Sequence, residues 1–228
     1  DATERLHEVW RAAILNEAAM AEKAGIDRLI VNFLWLNQDP DMIQLDDAEW
    51  KETIAEIREV YSGKLGAFWV VNEEIENYSY FNDVDFVYVG MENQKYTAGI
   101  AEDDMEGLVN AWKEYLNSPQ FDAIRNVPEV MQRVYFMSYD GAIDNGWFEC
   151  GGKYPDKVSD YREQAVLMES FMRALYETPD SPINALATIY DWHDYIYPNL
   201  HEIRNDLGTS VRGKDAENVF HRWMDIFQ

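Results

Sequence analysis

The run RLIVNFLWL, from Arg28 to Leu36, places seven apolar residues in nine positions with no polar/apolar alternation. A strand with water on one face alternates. One buried on both faces reads as a continuous apolar run, as strands of parallel sheets do. Four further segments have strand character: LGAFWVV (Leu65 to Val71), VDFVYVGM (Val84 to Met91), EVMQRVYFMS (Glu129 to Ser138) and NALATIYDW (Asn184 to Trp192). Helical stretches separate most of them. Thr3 to Ala24 carries Leu6, Val9, Trp10, Ala13 and Ile14 on one face and meets a stop at Gly25. Ala48 to Tyr61 presents Trp50, Ile54, Ile57 and Val60, and Met105 to Leu116, Asp160 to Tyr176 and Ala216 to Phe227 complete the helical set. Parallel neighbours need crossover connections, which helices supply, so the pattern predicts an α/β chain built on a parallel sheet.

The carboxyl ends of the five strands carry Asn37, Glu73, Glu92, Asp140 and Asp191. Barrel enzymes collect their sites at that end of the sheet, and loops there carry the chemistry. Neither common Gly-rich phosphate loop is present, which makes a nucleotide-binding doubly wound fold the weaker choice. Without an internal repeat or a low-complexity linker, residues 1–228 read as one (β/α) barrel-like domain.

Charge narrows the partners. A formal net charge of -24 repels phosphate backbones and anionic lipid, arguing against nucleic-acid and membrane partners, and no apolar run approaches the roughly 18 residues of a membrane span. Cys150 is the single cysteine, so no intramolecular disulfide can form, and the compartment stays open. The four histidines are scattered, and nothing calls for a cofactor or a metal; the group Asp191 to Asp194 has cation-ligand chemistry at a spacing common by chance. The 8 Trp, 14 Tyr and 10 Phe suit a sugar site, because flat rings complement the apolar faces of pyranoses. Trp10, Trp50, Trp112 and Trp223 fall on helical apolar faces and read as core, whereas Trp35, Tyr139, Trp147 and Trp192 lie at strand ends or in loops, where a ligand could reach them.

Several segments resemble, in order, TIM-barrel glycoside hydrolases of the β-mannanase-like type. They are GIDRLIVNFLWL, KETIAEIREVYSGKLGAFWV, YFNDVDFVYVGM, SYDGAIDNGW, YREQAVLMESFMRALYE and IRNDLGTSVRGKDAENVFHRW. The resemblance covers nearly the whole chain but implies only strands four to eight of such a barrel, without counterparts of the first three. It implies a barrel of TIM type that is partial or is completed by another chain or a second copy. It also implies a β-linked polysaccharide or oligosaccharide as ligand, with Trp192 as a platform for a sugar ring.

Retaining glycosidases of this kind use two carboxylates about 5 Å apart, one as acid/base and one as nucleophile. Aligned on SYDGA, the nucleophile position falls at Arg133, and the other expected Glu falls near Phe33 or Leu34. A guanidinium cannot attack an anomeric carbon. Other carboxylates stand at strand ends, and Asp140, Glu73 and Asp191 are the catalytic candidates, with Trp35, Asn37, Tyr139, Trp147 and Trp192 as substrate contacts. Asp140 has a second reading as a turn residue before Gly141. Two functions follow: a glycoside hydrolase with an atypical carboxylate set, or a non-catalytic carbohydrate-binding or assembly component.

Overall fold

Five strands and seven α-helices alternate along the chain in a computed structural model that describes residues 2–31, 47–70, 79–90, 94–145, 158–189 and 207–227. In chain order these are α1 (Ala2–Ala24), β1 (Arg28–Val31), α2 (Asp47–Val60), β2 (Lys64–Val70), β3 (Phe86–Gly90), α3 (Gln94–Thr97), α4 (Met105–Leu116), β4 (Glu129–Val134), α5 (Ala142–Asn145), α6 (Tyr161–Tyr176), β5 (Ala185–Thr188) and α7 (Asp215–Phe227). Short 3-10 turns at Tyr80–Asp83 and Pro119–Ile124 precede β3 and β4. The strands form one sheet in the order β1-β2-β3-β4-β5, and the registers of the first four are parallel. Each strand lies beside its neighbour in sequence, the order of a singly wound barrel rather than of a doubly wound sheet.

The chain divides into two compact units. The first comprises Asp1–Gly90, Pro119–Gln132 and Pro182–Ala185. Its strands bury one face almost completely: Leu65, Ala67, Trp69, Val87, Val89, Val130 and Gln132 are at most 1% exposed. Trp69 meets Phe81 and Phe121 edge-on, and Gln132 donates from Nε2 to the Val89 carbonyl oxygen at 3.0 Å, satisfying its amide group inside the core. The other face is half-open. Arg28, Ile30 and Lys64 are exposed there, and Phe68, Tyr88 and Met131 are half-buried. Of RLIVNFLWL only Arg28–Val31 are described, and there only Val31 is buried rather than the run as a whole; alternation along β4 likewise puts Val130, Gln132 and Val134 inside and leaves Glu129, Met131 and Arg133 half-buried.

Local sequence explains the helix ends. Gly25, at φ +67°, closes α1, with its N–H bonded to the Glu22 carbonyl oxygen and that of Ile26 to Ala21. The buried side of α1 is Ala18 and Ala21; Val9, expected inside, is 61% exposed. Trp10 is half-buried edge-on to Trp50, 5.3 Å between centroids, and Trp50 is wholly buried in α2. At the amino ends of the strands Glu129 pairs with Arg28 and with Lys64, tying together β1, β2 and β4. That end of a parallel sheet serves stability rather than chemistry.

The second unit comprises Met91–Ser118, Arg133–Ser181 and Leu186–Gln228. Helix α4 packs against α6, and α6 against α7. Trp112 is wholly buried between Phe136, Phe171 and Tyr115, and its Nε1–H donates to Ser170 Oγ at 2.9 Å. Trp223 is 8% exposed and donates to Glu169 at 2.8 Å. Trp50, Trp112 and Trp223 are core residues, as helical spacing suggests.

Candidate functional site

Strand β4 ends at Val134, and five residues on Tyr139 bridges antiparallel to Ser159. A tight turn follows. The Ala142 N–H bonds the Tyr139 carbonyl oxygen at 3.1 Å, and Gly141 adopts φ +83°. That pattern places Asp140 and Gly141 at the two central positions of a turn whose third residue needs a positive φ, which glycine supplies. Asp140 is exposed at the tip.

The first turn of α6 holds this segment residue by residue. Gln164 Nε2 donates to the Phe136 carbonyl oxygen at 2.7 Å, and the Asp160 N–H donates to that of Ser138 at 2.9 Å. Glu163 accepts from the Gly141 N–H at 2.8 Å on one oxygen and from the Ile143 N–H at 2.7 Å on the other. Asp160 caps α6 by accepting from the Glu163 N–H at 2.9 Å. Lys214, 3% exposed, closes the other side: its Nζ donates to Ser138 Oγ and to the Gly208 carbonyl oxygen, both at 3.0 Å, and sits 5.5 Å from the Tyr161 ring centroid.

Asp140, Asp160 and Glu163 thereby come together, each offering an oxygen within 4.8 Å of the others. Burial pushes the Glu163 carboxyl above its ordinary value, and the nearby Asp160 and Asp140 push the same way, against the two backbone N–H groups that favour the anion. Three oxygens at that spacing have the composition of a hard-cation site. Their present bonds are structural, however: both Glu163 oxygens hold the turn and Asp160 holds the helix. Neither is disposed as a nucleophile.

Arg133 lies on the half-open side of β4, with its guanidinium carbon 4.8 Å from the Tyr135 ring centroid. Among the residues singled out from sequence, Asp140 is an exposed turn residue and Tyr139 is 2% exposed, so the Tyr139 ring is packed inside rather than offered to a sugar. Trp35, Asn37, Glu73, Trp147, Asp191 and Trp192 lie outside the described residues, as do Glu92 and the Asp191 to Asp194 group. Asp160, Glu163 and Lys214 were not anticipated at the site. The spacing Asp160-x-x-Glu163 ahead of an apolar-periodic helix is a capping signal that marks the first two. Nothing local marks Lys214.

Solved structures of β-mannanases overlay on this chain. A GH113 β-mannanase from Alicyclobacillus acidocaldarius, in complex with ManMIm, is 17% identical over 99% of this chain and 63% of that one, with a TM-score of 0.67. A GH113 β-1,4-mannanase is 16% identical over 95% of this chain and 62% of that one, at 0.68. The fold is shared with these mannanases. A complex structure of a GH113 β-1,4-mannanase agrees, at 18% identity over 96% of this chain and 62% of that one, with a TM-score of 0.65. The chain thus spans less than two-thirds of the length of the mannanases it matches, and it has the architecture of part of a (β/α) barrel. No family model and no curated protein matches the sequence.

Proposed function

We propose that this chain is a glycoside-hydrolase-like protein that binds a β-linked polysaccharide or oligosaccharide of mannan type without hydrolysing it. The fold shared with β-mannanases supports the ligand class. The observation that carries the non-hydrolytic reading is Arg133, a cation on the half-open side of β4 at the position where the family resemblance expects the nucleophilic Glu. A positive charge there opposes the oxocarbenium-like transition state of glycoside cleavage. In this reading Asp140 accepts hydrogen bonds from sugar hydroxyls, Trp35, Trp147 and Trp192 supply ring platforms, and Asn37 adds a polar contact. Further strands, from another chain or a second copy, complete the barrel around the ligand.

One observation favours hydrolysis instead: Asp140 is an exposed carboxylate in the turn that follows β4. In that second reading Asp140, with Glu73 or Asp191, supplies the acids. A panel of β-mannans and β-glucans separates the two. Binding by affinity electrophoresis with no release of reducing ends supports the first reading. Sustained release that Asp140→Asn abolishes overturns it.

A further inference from the structure

The turn that carries Asp140 is fastened from outside by the Glu163 carboxylate, beside the Asp140 N–H donated to the Val158 carbonyl oxygen at 2.9 Å. Glu163 is 4% exposed, and its two oxygens accept the Gly141 and Ile143 N–H groups at 2.8 and 2.7 Å. These two amides bracket Ala142 and start directly after Asp140. In an ordinary capping box the Glu three residues after the cap turns back to the N–H of the cap residue itself. Here that N–H, on Asp160, is taken by the Ser138 carbonyl oxygen, and the Glu163 side chain reaches across to the neighbouring turn. A helix-capping sequence is thus used to pin a strand-end turn.

We propose that Glu163 is a positioning residue for Asp140, setting the turn so that the Asp140 carboxylate stands ready for the ligand's hydroxyl groups. The role assigned to Asp140 rests on the glycan-binding reading above; the pinning of the turn does not. A carboxylate in this position is needed for a geometric reason. The N–H groups of Gly141 and Ile143 point to one side of the turn, and the two oxygens of the carboxylate take one each. A Gln offers one acceptor, and its amide NH₂ confronts the second N–H. An Ala offers none and leaves two amides near a buried site without a partner. Preorganisation of this kind raises affinity by removing the cost of ordering a loop on binding.

The test is amide hydrogen exchange on the full chain, read at Gly141 and Ile143, beside titration with β-1,4-mannohexaose. Glu163→Ala is expected to speed exchange at both amides by about tenfold or more, the loss of one net hydrogen bond each. Leu167 and Phe171, farther along α6, should keep their protection. Glu163→Gln is expected to restore protection at one amide and to give an affinity between those of wild type and Glu163→Ala. Unchanged exchange at Gly141 and Ile143 in either variant overturns the proposal, as does faster exchange at both with mannohexaose affinity equal to wild type. A wild-type chain that does not bind mannohexaose overturns the glycan-binding reading instead, and the exchange data alone then decide whether Glu163 holds the turn. Should Glu163→Ala fail to fold, Glu163→Gln carries the same comparison.

Discussion

The ring of Phe86 covers the backbone of Gly66 so closely that a Cβ at Gly66 would fall 2.3 Å from two of its ring carbons. The two residues are register partners on β2 and β3, and Phe86 is wholly buried on a face where its neighbours Phe68 and Tyr88 are only half-buried. The missing side chain of one strand makes room for the ring of the next. Gly66→Ala must displace that ring, and overpacking of this kind costs about 1–3 kcal/mol. Urea unfolding should show a lower midpoint with an unchanged slope; a midpoint equal to wild type would mean the ring moves freely.

At the amino ends of the strands, Glu129 joins Arg28 and Lys64, and both lower its carboxyl below the ordinary value, with the Arg28 hydrogen bond the largest cause. The sign follows from linkage. A carboxyl whose folded pKa is depressed contributes stability above its unfolded pKa of about 4.3. That contribution is lost as pH falls through the folded value. Glu129→Gln should therefore cost about 1 kcal/mol near neutrality, a modest figure because the partners are exposed. The difference from wild type should shrink as pH falls below about 4.3. Thermal unfolding of both chains at matched ionic strength measures it, and a difference that does not depend on pH would remove the ion pair as its source.

The alternation of apolar runs and amphipathic helices was legible along most of the chain, because a parallel sheet imposes both at once. Met105–Leu116 matches its expected limits, and α6 starts one residue later than expected because Asp160 is its cap rather than its first turn. Three features were not legible. The half-open face was missed because apolar residues such as Ile30 and Phe68 occupy it, so the runs show no alternation although that side is covered only in part. The helix Ala142–Asn145 was read as loop, since four residues show no period. The site was only half legible: Asp140 and Gly141 announce a turn in sequence, but the residues that fasten this segment arrive from 22 positions after Gly141, at Glu163, and from 76 positions after Ser138, at Lys214. Tyr139 looked accessible beside them because an aromatic at a strand end gives no local sign of which way it packs.

Glu163 gives the opposite pH dependence to Glu129. Burial, with Asp160 and Asp140 beside it, raises its folded pKa above the unfolded value. An acid of this kind binds more protons folded than unfolded, so stability falls as pH rises from about 4.3 through the raised folded value and is level beyond it. Glu163→Gln cannot ionise and lacks that slope. The stability of wild type relative to Glu163→Gln should therefore decrease between pH 4 and the raised value, read by urea midpoints across the range. An increase over the same range would mean that the two backbone N–H groups outweigh burial.

Trp112 sits where α4, α6 and the end of β4 meet, wholly buried against Phe136 and Phe171, with Nε1–H donated to Ser170 Oγ. Ser170 in turn donates to the Leu167 carbonyl oxygen, so its hydroxyl has one acceptor role and one donor role filled. Trp112→Phe removes the N–H and leaves unfilled space beside Ser170. Loss of a buried hydrogen bond contributes about 1 kcal/mol and the cavity a further 1–2 kcal/mol. Trp112→Phe with Ser170→Ala separates the two effects. If the hydrogen bond matters, the double variant is destabilised by less than the sum of the singles; strict additivity would assign the whole loss to packing.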